Sequence, residues 1–450
     1  MTMRIDQLLQ KYSRPGPRYT SYPTVPVWSE QVGAMDYRAA LQALSETPDA
    51  QNLCLYVHLP FCAMACHYCG CNNAVTSKTE VVDAYLDRVA REVALVVEQL
   101  GRGRRVVQMH WGGGTPNTLT ARQMERLVRL LEEAFVLDWN GEMSIEIDPR
   151  IASPAQLKHI RSLGFRRISL GVQDFHPEVQ AAIGRHQPEA LTKAVYAACR
   201  DVGFESINLD LVYGLPRQTR ATFEHTVASV LELHPDRLAL FNYAHMPKLR
   251  PRQRHIRVED LPDVITRFAM FDDARQRLTA HEYVWIGMDH FARQDDELAV
   301  ASHERRLHRN FMGYTLRPAA NLIAFGMSGI SELEGFYAQN DARLGRYQTA
   351  LDHGELPVVR GHRLSADDQR RREAIRYLMC HMELPVAVLR DDFERQRAAF
   401  REMEADGLIC FDAGRLVVTP LGRPFVRNIC MTLDAYLETD APRPVFSKTL

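Results

Sequence analysis

The sequence lacks three features that would each point to a class of protein. It has no run of about 18 apolar residues, so we expect no membrane span. Its first 24 residues lack the apolar core of a signal peptide, and we expect a cytoplasmic protein. Charge is balanced, since 55 Lys and Arg residues stand against 56 Asp and Glu residues and the formal net charge is −1. That balance gives no long-range attraction to nucleic acid or to an anionic membrane.

Cysteine is scarce, with nine in 450 residues, yet four of the nine stand close together. They are Cys62, Cys66, Cys69 and Cys71, in the stretch LPFCAMACHYCGCN. Cytoplasmic thiols stay reduced, which favours a metal site or catalysis over disulfides. The other cysteines are scattered, and we expect them to be small buried apolar residues.

The cysteine spacing also lacks what structural zinc usually needs, which is four ligands in two separated pairs. No second pair follows, and no closely spaced histidine pair lies nearby. Only one residue separates Cys69 from Cys71, so these two do not readily share one centre. Three cysteines on a [4Fe–4S] cluster leave one iron open to a reactive ligand, which is a catalytic arrangement. A zinc knuckle and a group of reactive thiols remain as alternatives.

Strand and helix patterns alternate through the middle of the chain. Six strand–helix units fit between about residue 53 and residue 280, which predicts a parallel sheet. Six units are too few for a closed eight-strand barrel, so we predict an α/β fold with a partial (βα)6 barrel. Glycines and polar residues stand at the strand ends, where ligand-binding groups of such folds gather.

The two ends of the chain do not continue the strand–helix alternation of the middle. Residues 1–50 are expected to form an N-terminal arm, residues 51–290 the barrel, and residues 291–360 a barrel extension near the substrate. Residues 361–450 read as helices followed by a hairpin with Gly414 at its turn, which predicts a helical, winged-helix-like C-terminal domain. Such a wing can bind DNA, but the near-zero charge favours a lid or packing role.

The spacing Cys-x3-Cys-x2-Cys, with Tyr68 before the third cysteine, resembles the signature of the radical S-adenosylmethionine (SAM) superfamily. Within it, the chain resembles the oxygen-independent coproporphyrinogen III oxidases over nearly its whole length. Cys71 supports this, because related haem-trafficking proteins lack the fourth cysteine. The matching stretches include GPRYTSYPT (16–24), HWGGGTPNTL (110–119), SIEIDPR (144–150), ISLGVQDF (168–175), NLDLVYGLPRQT (208–219) and GRPFVRNIC (422–430).

The resemblance implies a radical-SAM barrel that binds one [4Fe–4S] cluster and two S-adenosylmethionine molecules per chain. Cys62, Cys66 and Cys69 match the cluster ligands, and no catalytic residue is implied beyond the cluster and cofactor, with Cys71 a candidate near the second S-adenosylmethionine. Positions matching contacts to the first S-adenosylmethionine are Tyr56, Gly113, Glu146 and Ile330. Positions around the second are Tyr68, Gly114, Thr115, Gln173, Arg185, Asp210 and Ala244, with Gly70 and Met312 as further candidates.

Elementary chemistry supports several of these roles. The glycine run 112–114 would let the backbone approach a polar ligand without a Cβ clash. Glu146 and Asp210 offer acceptors to ribose hydroxyls, and Arg185 offers a fork to a carboxylate.

The implied activity is decarboxylation of two propionates of coproporphyrinogen III to vinyl groups, through a 5′-deoxyadenosyl radical. The product is protoporphyrinogen IX, in haem biosynthesis. A reduced electron-donor protein such as flavodoxin or ferredoxin is the implied partner, and we expect a monomer that binds no nucleic acid.

Two places depart from the family pattern. Met312 stands where a glutamine is usual, and the stretch AANLIAFGMSGIS (319–331) has Asn321 for an acid and Ala324 for a glycine. The resemblance implies that both places lie where the second cofactor and the substrate meet. A paralogous radical enzyme acting on another tetrapyrrole, as a methyltransferase or a haem-modifying enzyme, is therefore one alternative. A non-catalytic haem-binding or haem-delivery protein is a second. A DNA-binding regulator that uses the wing is the third.

Overall fold

The computed structural model describes residues 5–47, 52–317, 321–389, 394–437 and 446–449. Helices and strands are numbered here in chain order. The helices are α1 (Ile5–Tyr12), α2 (Ala34–Ser45), α3 (Thr79–Leu100), α4 (Ala121–Ala134), α5 (Pro154–Ser162), α6 (Pro177–Ala182), α7 (Glu189–Asp201), α8 (Arg220–Leu233), α9 (Val264–Ala280), α10 (Glu297–His303), α11 (Leu344–Asp352), α12 (Ala366–His381), α13 (Val386–Leu389), α14 (Arg397–Ala405) and α15 (Val426–Met431). The strands are β1 (Asn52–Leu59), β2 (Phe61–Cys62), β3 (Ala74–Val75), β4 (Arg105–Gly113), β5 (Val136–Ile147), β6 (Arg167–Gln173), β7 (Ser206–Tyr213), β8 (Arg237–Asn242), β9 (Tyr283–Gly287), β10 (His290–Arg293), β11 (His308–Asn310), β12 (Gly313–Thr315), β13 (Asn321–Phe325), β14 (Ile330–Leu333), β15 (Phe336–Asn340), β16 (Val358–Arg363), β17 (Glu383–Pro385), β18 (Ile409–Asp412) and β19 (Arg415–Val418).

Twelve strands form one sheet, in the order β16-β15-β14-β13-β1-β4-β5-β6-β7-β8-β10-β9. The six strands from β1 to β8 in this order are parallel neighbours, and helices connect them. The hairpin β9–β10 closes one edge in antiparallel fashion, while β13 joins β1 in parallel at the other. The predicted α/β fold with six parallel strand–helix units is confirmed. The carboxyl ends of the six strands meet at one end of the barrel, which we call the mouth.

Local sequence signals explain how the helices are placed. Ser153 caps α5 by accepting a hydrogen bond at Oγ from the backbone N–H of Gln156 at 3.2 Å, and Pro154 is the first helical residue. Gly164 follows with φ of +105°, as expected of a residue that ends a helix. The helices pack their apolar faces on the sheet. Trp111 and Phe165 are fully buried there and contact each other edge to face, with 4.9 Å between their ring centroids. Each such buried side chain contributes about 1.5–3 kcal/mol.

The first 47 residues contain two helices, where the sequence suggests an extended arm. Leu41 of α2 is buried in the main core. Leu8 of α1 belongs instead to the core of the C-terminal region, and Tyr12 donates a hydrogen bond to Asp406 there at 2.6 Å. The N-terminal residues therefore join the barrel to the C-terminal region.

The C-terminal region combines α12–α15 with a three-stranded sheet of order β17-β19-β18. The hairpin β18–β19 turns at Ala413 and Gly414, whose φ angles are +45° and +76°. The predicted hairpin with Gly414 at its turn is confirmed. Across the described ranges, none of the helices combines the length and the apolar character needed to cross a bilayer.

Candidate functional site

A cavity of about 580 Å³ opens at the mouth and runs through the interior of the barrel. All but two of the predicted site residues lie on its wall. They are Cys62, Cys66, Tyr68, Cys69, Gly70, Cys71, Gly113, Gly114, Thr115, Glu146, Gln173, Arg185, Asp210, Ala244 and Met312.

The two predicted residues away from the wall are Tyr56 and Ile330. Tyr56 stacks on His110 at 6.0 Å between ring centroids, and its hydroxyl lies 3.1 Å from Nδ1 of His58. Ile330 is buried in a hydrophobic cluster with Trp28 and Tyr337. Tyr56 thus supports residues that line the cavity, whereas Ile330 packs in the core.

Each of the three predicted cluster ligands accepts a hydrogen bond at its sulfur. Thr115 donates to Cys62 at 3.4 Å, Arg150 donates to Cys66 at 3.6 Å, and the backbone N–H of Cys71 donates to Cys69 at 3.4 Å. The hydrogen bond from the Cys71 side chain lowers the pKa of Cys69 to about 6, whereas burial raises that of Cys62 to about 11. Donors aimed at sulfur favour thiolates, which are the form that binds iron.

The three thiols line one cavity and lie close enough together that, besides burial, the charges of Cys69 and Cys66 help to raise the pKa of Cys62. Within the described ranges, no three His, Cys, Asp or Glu side chains are close enough to hold a single metal ion. Structural zinc usually takes four protein ligands, whereas three cysteine sulfurs on a [4Fe–4S] cluster leave one iron open to another ligand. The residues present therefore fit a [4Fe–4S] group.

A buried ion-pair network lies beside Cys66. Asp148 binds Arg150 at 2.6 Å and Arg185 at 3.1 Å, and Arg185 Nη1 also lies 3.7 Å from the Cys66 sulfur. Burial opposes ionisation of Asp148, but its hydrogen bond from Arg150 and both positive charges hold its pKa below the ordinary value. One carboxylate between two guanidiniums leaves excess positive charge next to the cysteines, where an anionic cluster would be stabilised.

Arg185 is expected from the sequence to offer its fork to a carboxylate of a ligand. In the structure its donors are engaged by Asp148, by the Gly171 carbonyl at 2.8 Å and by Gln187 at 3.0 Å. The guanidinium of Arg185 therefore stabilises this network of protein groups and is not free to bind a ligand carboxylate with its whole fork. Sequence reasoning assigns no role to Asp148 or Arg150, although both stand in the stretch SIEIDPR at the end of β5.

Two carboxylates face the cavity from β5 and β7. Glu146 lies 3.0 Å from Nε2 of His110 and accepts from the backbone N–H of Gly113 at 3.3 Å. Burial opposes its ionisation, but the hydrogen bond and charge of His110, the Gly113 N–H and the charge of His58 together outweigh burial and hold the pKa of Glu146 below the ordinary value. Asp210 accepts from Ser169 and Asn208, both at 2.8 Å, yet burial raises its pKa to about 6. Both carboxylates can accept hydrogen bonds from hydroxyl groups of a ligand.

The glycine run at the end of β4 is required by the protein's own packing. Gly113 has φ of +110°, and a Cβ there would lie 2.5 Å from the His58 ring. A Cβ on Gly114 would lie 2.5 Å from the Pro60 carbonyl carbon, and one on Gly112 would lie 2.8 Å from Glu146. The sequence suggests that a ligand needs this space, but protein atoms take it. Gly70 differs, because no atom of the described residues lies within 4 Å of the position that its Cβ would take.

The hairpin β11–β12 closes the cavity at the end opposite the mouth. Asn310 donates to Gln108 at 2.9 Å and Thr315 donates to Glu142 at 2.9 Å, which fixes the hairpin to β4 and β5. Met312 lies at its tip, on the cavity wall.

The other departure from the family pattern lies elsewhere. Asn321 begins β13 beside Leu53, at the barrel end opposite the mouth, and its Oδ1 accepts from the Glu334 backbone at 2.9 Å. Ala324 is buried within the same strand. Among the substituted positions, Met312 lies on the cavity wall, whereas Asn321 and Ala324 do not. The expectation that all three lie near the second cofactor and the substrate stays a prediction.

Comparison with known proteins shows similarity over nearly the full length. Residues 56–230 match the model of the Radical SAM superfamily. The oxygen-independent coproporphyrinogen III oxidase of Synechocystis sp. is 42% identical, over 99% of this chain and 97% of that protein. The Escherichia coli protein of the same name is 43% identical, over 98% of both chains. A solved structure of coproporphyrinogen III oxidase from Escherichia coli, described as a radical SAM enzyme, matches with a TM-score of 0.90 and 41% identity, over 97% of this chain and 100% of that one.

Proposed function

Because the chain belongs to the oxygen-independent coproporphyrinogen III oxidases, within the radical SAM superfamily, we propose that it decarboxylates two propionates of coproporphyrinogen III to vinyl groups, giving protoporphyrinogen IX. The observation that carries this is the placement of Cys62, Cys66 and Cys69 on one barrel cavity in a chain that matches these enzymes end to end. The alternatives of a haem carrier and a DNA-binding regulator have no comparable support.

Members of the superfamily use a [4Fe–4S] cluster and S-adenosylmethionine, and the residues of this cavity fit both. When bound, these groups supply the one-electron chemistry that removes a hydrogen atom from a propionate. In our proposal Cys62, Cys66 and Cys69 hold the cluster, and the Arg150–Asp148–Arg185 network keeps positive charge beside it.

We further propose that two S-adenosylmethionine molecules bind, one beside Glu146 and one beside Asp210. The two carboxylates stand on β5 and β7, with β6 between them, and each presents acceptor oxygens to the cavity. Tyr56 and His58 hold the wall on the Glu146 side, while Gln173 and Arg185 stand on the Asp210 side. We infer that the hairpin β11–β12, whose residues line the other end of the cavity, keeps bulk water out there, because a reactive carbon radical requires a dry site.

For the electron donor, we propose an acidic carrier protein such as flavodoxin or ferredoxin that docks on residues 248–257. This segment reads KLRPRQRHIR, with five Lys or Arg residues and no acid. It lies against the cysteine loop, since Arg250 donates to Asn72 at 2.9 Å and His255 stacks on His67 at 4.8 Å. Lys248 and Arg254 are exposed, so their charge is available to an acidic partner.

We also expect the protein to be a monomer. We place it in the cytoplasm, because the proposed cluster needs reduced thiols and that compartment keeps thiols reduced. The decisive experiment is anaerobic incubation of the reconstituted, reduced protein with S-adenosylmethionine and coproporphyrinogen III, followed by mass spectrometry of the porphyrins. The expected result is loss of two CO₂ and a divinyl product. Cleavage of S-adenosylmethionine without CO₂ release, where an established family member works, would favour the paralogue that acts on another tetrapyrrole.

A further inference from the structure

A small recess lined by arginines lies beside the main cavity. Its volume is about 40 Å³, and its wall includes Arg18, Arg267, Arg423, Arg427, Asn242 and Asp289. We call it the arginine recess. Asn242, at the carboxyl end of β8, also lines the main cavity, so the two spaces share a wall at the mouth.

Three of the four arginines have clear structural roles. Arg18 pairs with Asp289. Arg427 is buried and donates to backbone carbonyls, including that of Pro17 at 2.9 Å and that of Thr449 at 3.2 Å. Arg423 donates to the Trp285 carbonyl at 2.7 Å and lies over the Trp285 ring at 4.4 Å.

Arg267 has no such role. Its stem packs on Gly214, where a Cβ would lie 2.7 Å from its Cδ. Its Nε is buried and has no hydrogen-bond partner in the described part of the chain, and the same holds for Oδ1 of Asn242. No carboxylate within the described ranges forms an ion pair with Arg267. One bridging water would satisfy both atoms but would bring no negative charge, and Asp263 acts on the Arg267 charge without forming an ion pair with it.

The charge in the recess is the stronger argument for a ligand. Its described lining carries four guanidiniums and one carboxylate, an excess of three positive charges. Burial, followed by repulsion from Arg309, lowers the pKa of Arg18 to about 10, and burial, followed by repulsion from Arg18, lowers that of Arg427 to about 9. Guanidiniums nevertheless stay protonated at neutral pH, so only an anion relieves this repulsion.

The size and position of the recess narrow the choice of anion. A cavity needs about 10–15 Å³ to hold one water, so a volume of about 40 Å³ suits a group of about three heavy atoms, such as one carboxylate, and no whole cofactor. The recess opens beside the cavity in which the substrate of the proposed function must lie. That substrate carries four carboxylates at its periphery, and two of them survive the reaction.

We propose that the arginine recess binds a propionate carboxylate of the tetrapyrrole that is not decarboxylated, with Arg267 as its main contact. This inference rests on the proposed function for the identity of the ligand. Arg267 then fixes which propionates reach the cluster, and so acts in substrate orientation.

The test compares Arg267→Met and Arg267→Lys with a matched control, Arg277→Met. Arg277 lies on the same helix α9 but pairs with Glu224 at the surface, away from the recess. Binding of coproporphyrin III, of protoporphyrin IX and of coproporphyrin tetramethyl ester is measured by fluorescence titration of the reconstituted protein. The KM and kcat for coproporphyrinogen III, and 5′-deoxyadenosine release without substrate, are measured alongside.

Arg267→Met should weaken both free-acid porphyrins and raise the KM by about 10- to 100-fold, as expected for lost hydrogen bonds between charged groups. The ester, which has no carboxylate, should bind equally weakly to wild type and variant, and Arg267→Lys should recover part of the affinity. Deoxyadenosine release and the Arg277→Met control should not change.

Three results would overturn the inference. One is an Arg267→Met affinity within twofold of the control, and another is an equal loss for the ester, which would indicate a structural defect. The third is weakened binding of coproporphyrin alone, which would place a reacting propionate in the recess. If wild type makes no divinyl product but its porphyrin binding still depends on Arg267, the proposed function is wrong, while the assignment of the recess as a carboxylate-binding site is kept.

Discussion

Gly113→Ala tests whether protein packing, and not a ligand, explains the glycine run at the end of β4. The new Cβ would lie 2.5 Å from the His58 ring, closer than real Cβ contacts come, at a residue with φ of +110°. The left-handed conformation costs about 1–2 kcal/mol for an alanine. His58 must also move, although its Nε2 lies 2.8 Å from the Asn72 carbonyl and its Nδ1 lies 3.1 Å from the Tyr56 hydroxyl. Losing both hydrogen bonds adds about 1–3 kcal/mol, so we expect a total loss of about 2–5 kcal/mol.

Gly103→Ala is the matched control. Gly103 has φ of +79°, but no atom of the described residues lies within 4 Å of the position that its Cβ would take. That variant should lose only the conformational part, about 1–2 kcal/mol. The free energy of unfolding is compared by urea denaturation of the two variants and wild type without cluster. If Gly113→Ala proved no less stable than Gly103→Ala, the packing explanation would be refuted, and the ligand explanation would return.

Three other predictions concern the cluster, the core and the cavity wall. Cys66→Ser should lose iron and activity together because thiolate is the softer ligand, whereas Cys71→Ser should keep its iron; equal loss of iron from both would contradict the three-ligand assignment. Burial raises the pKa of Glu92 from 4.5 to about 7, so the folded state binds the extra proton and its stability should fall as pH rises between those values. Glu92→Gln should flatten that fall, which is on the order of 1–3 kcal/mol, and an unchanged slope in urea denaturation at several pH values would exclude Glu92 as its source. Met312→Gln adds an amide donor to the cavity wall and should tighten the second S-adenosylmethionine by up to about tenfold, with the divinyl product unchanged; equilibrium dialysis showing weaker binding would refute this.

The sequence predicts the barrel because its signals are local. Helix caps such as Ser153 and the regular return of apolar strands depend on residues close together in the chain, and the structure confirms both. The structure of the first 47 residues is harder to predict, because α1 and α2 are short and are stabilised by contacts with distant segments. Leu8 packs in the C-terminal core, and Tyr12 binds Asp406, almost four hundred positions away.

The cavity wall is also largely predictable, since the ends of parallel strands must meet at one end of a barrel. What the sequence does not predict is which side chains bind one another there. Arg185 is expected to be free for a ligand, yet Asp148 from a different strand end holds it. Likewise the space beside Gly113 belongs to His58, which pairing across the sheet brings close. Such contacts depend on register and rotamers that no local pattern encodes.

The net charge of −1 hides where the charges act. In surface ion pairs such as Arg220 with Asp273, the opposite charges cancel locally and contribute little electrostatic potential at a distance. The arginine recess and residues 248–257, by contrast, each concentrate positive charge near the mouth. The two differ in exposure, because Arg254 is exposed while the Nε of Arg267 is buried. Salt screens exposed charges much more than buried ones, so raising ionic strength should slow reduction by an acidic carrier and leave porphyrin affinity nearly unchanged. If salt weakened both to the same degree, the carboxylate would bind at the exposed rim and not in the recess.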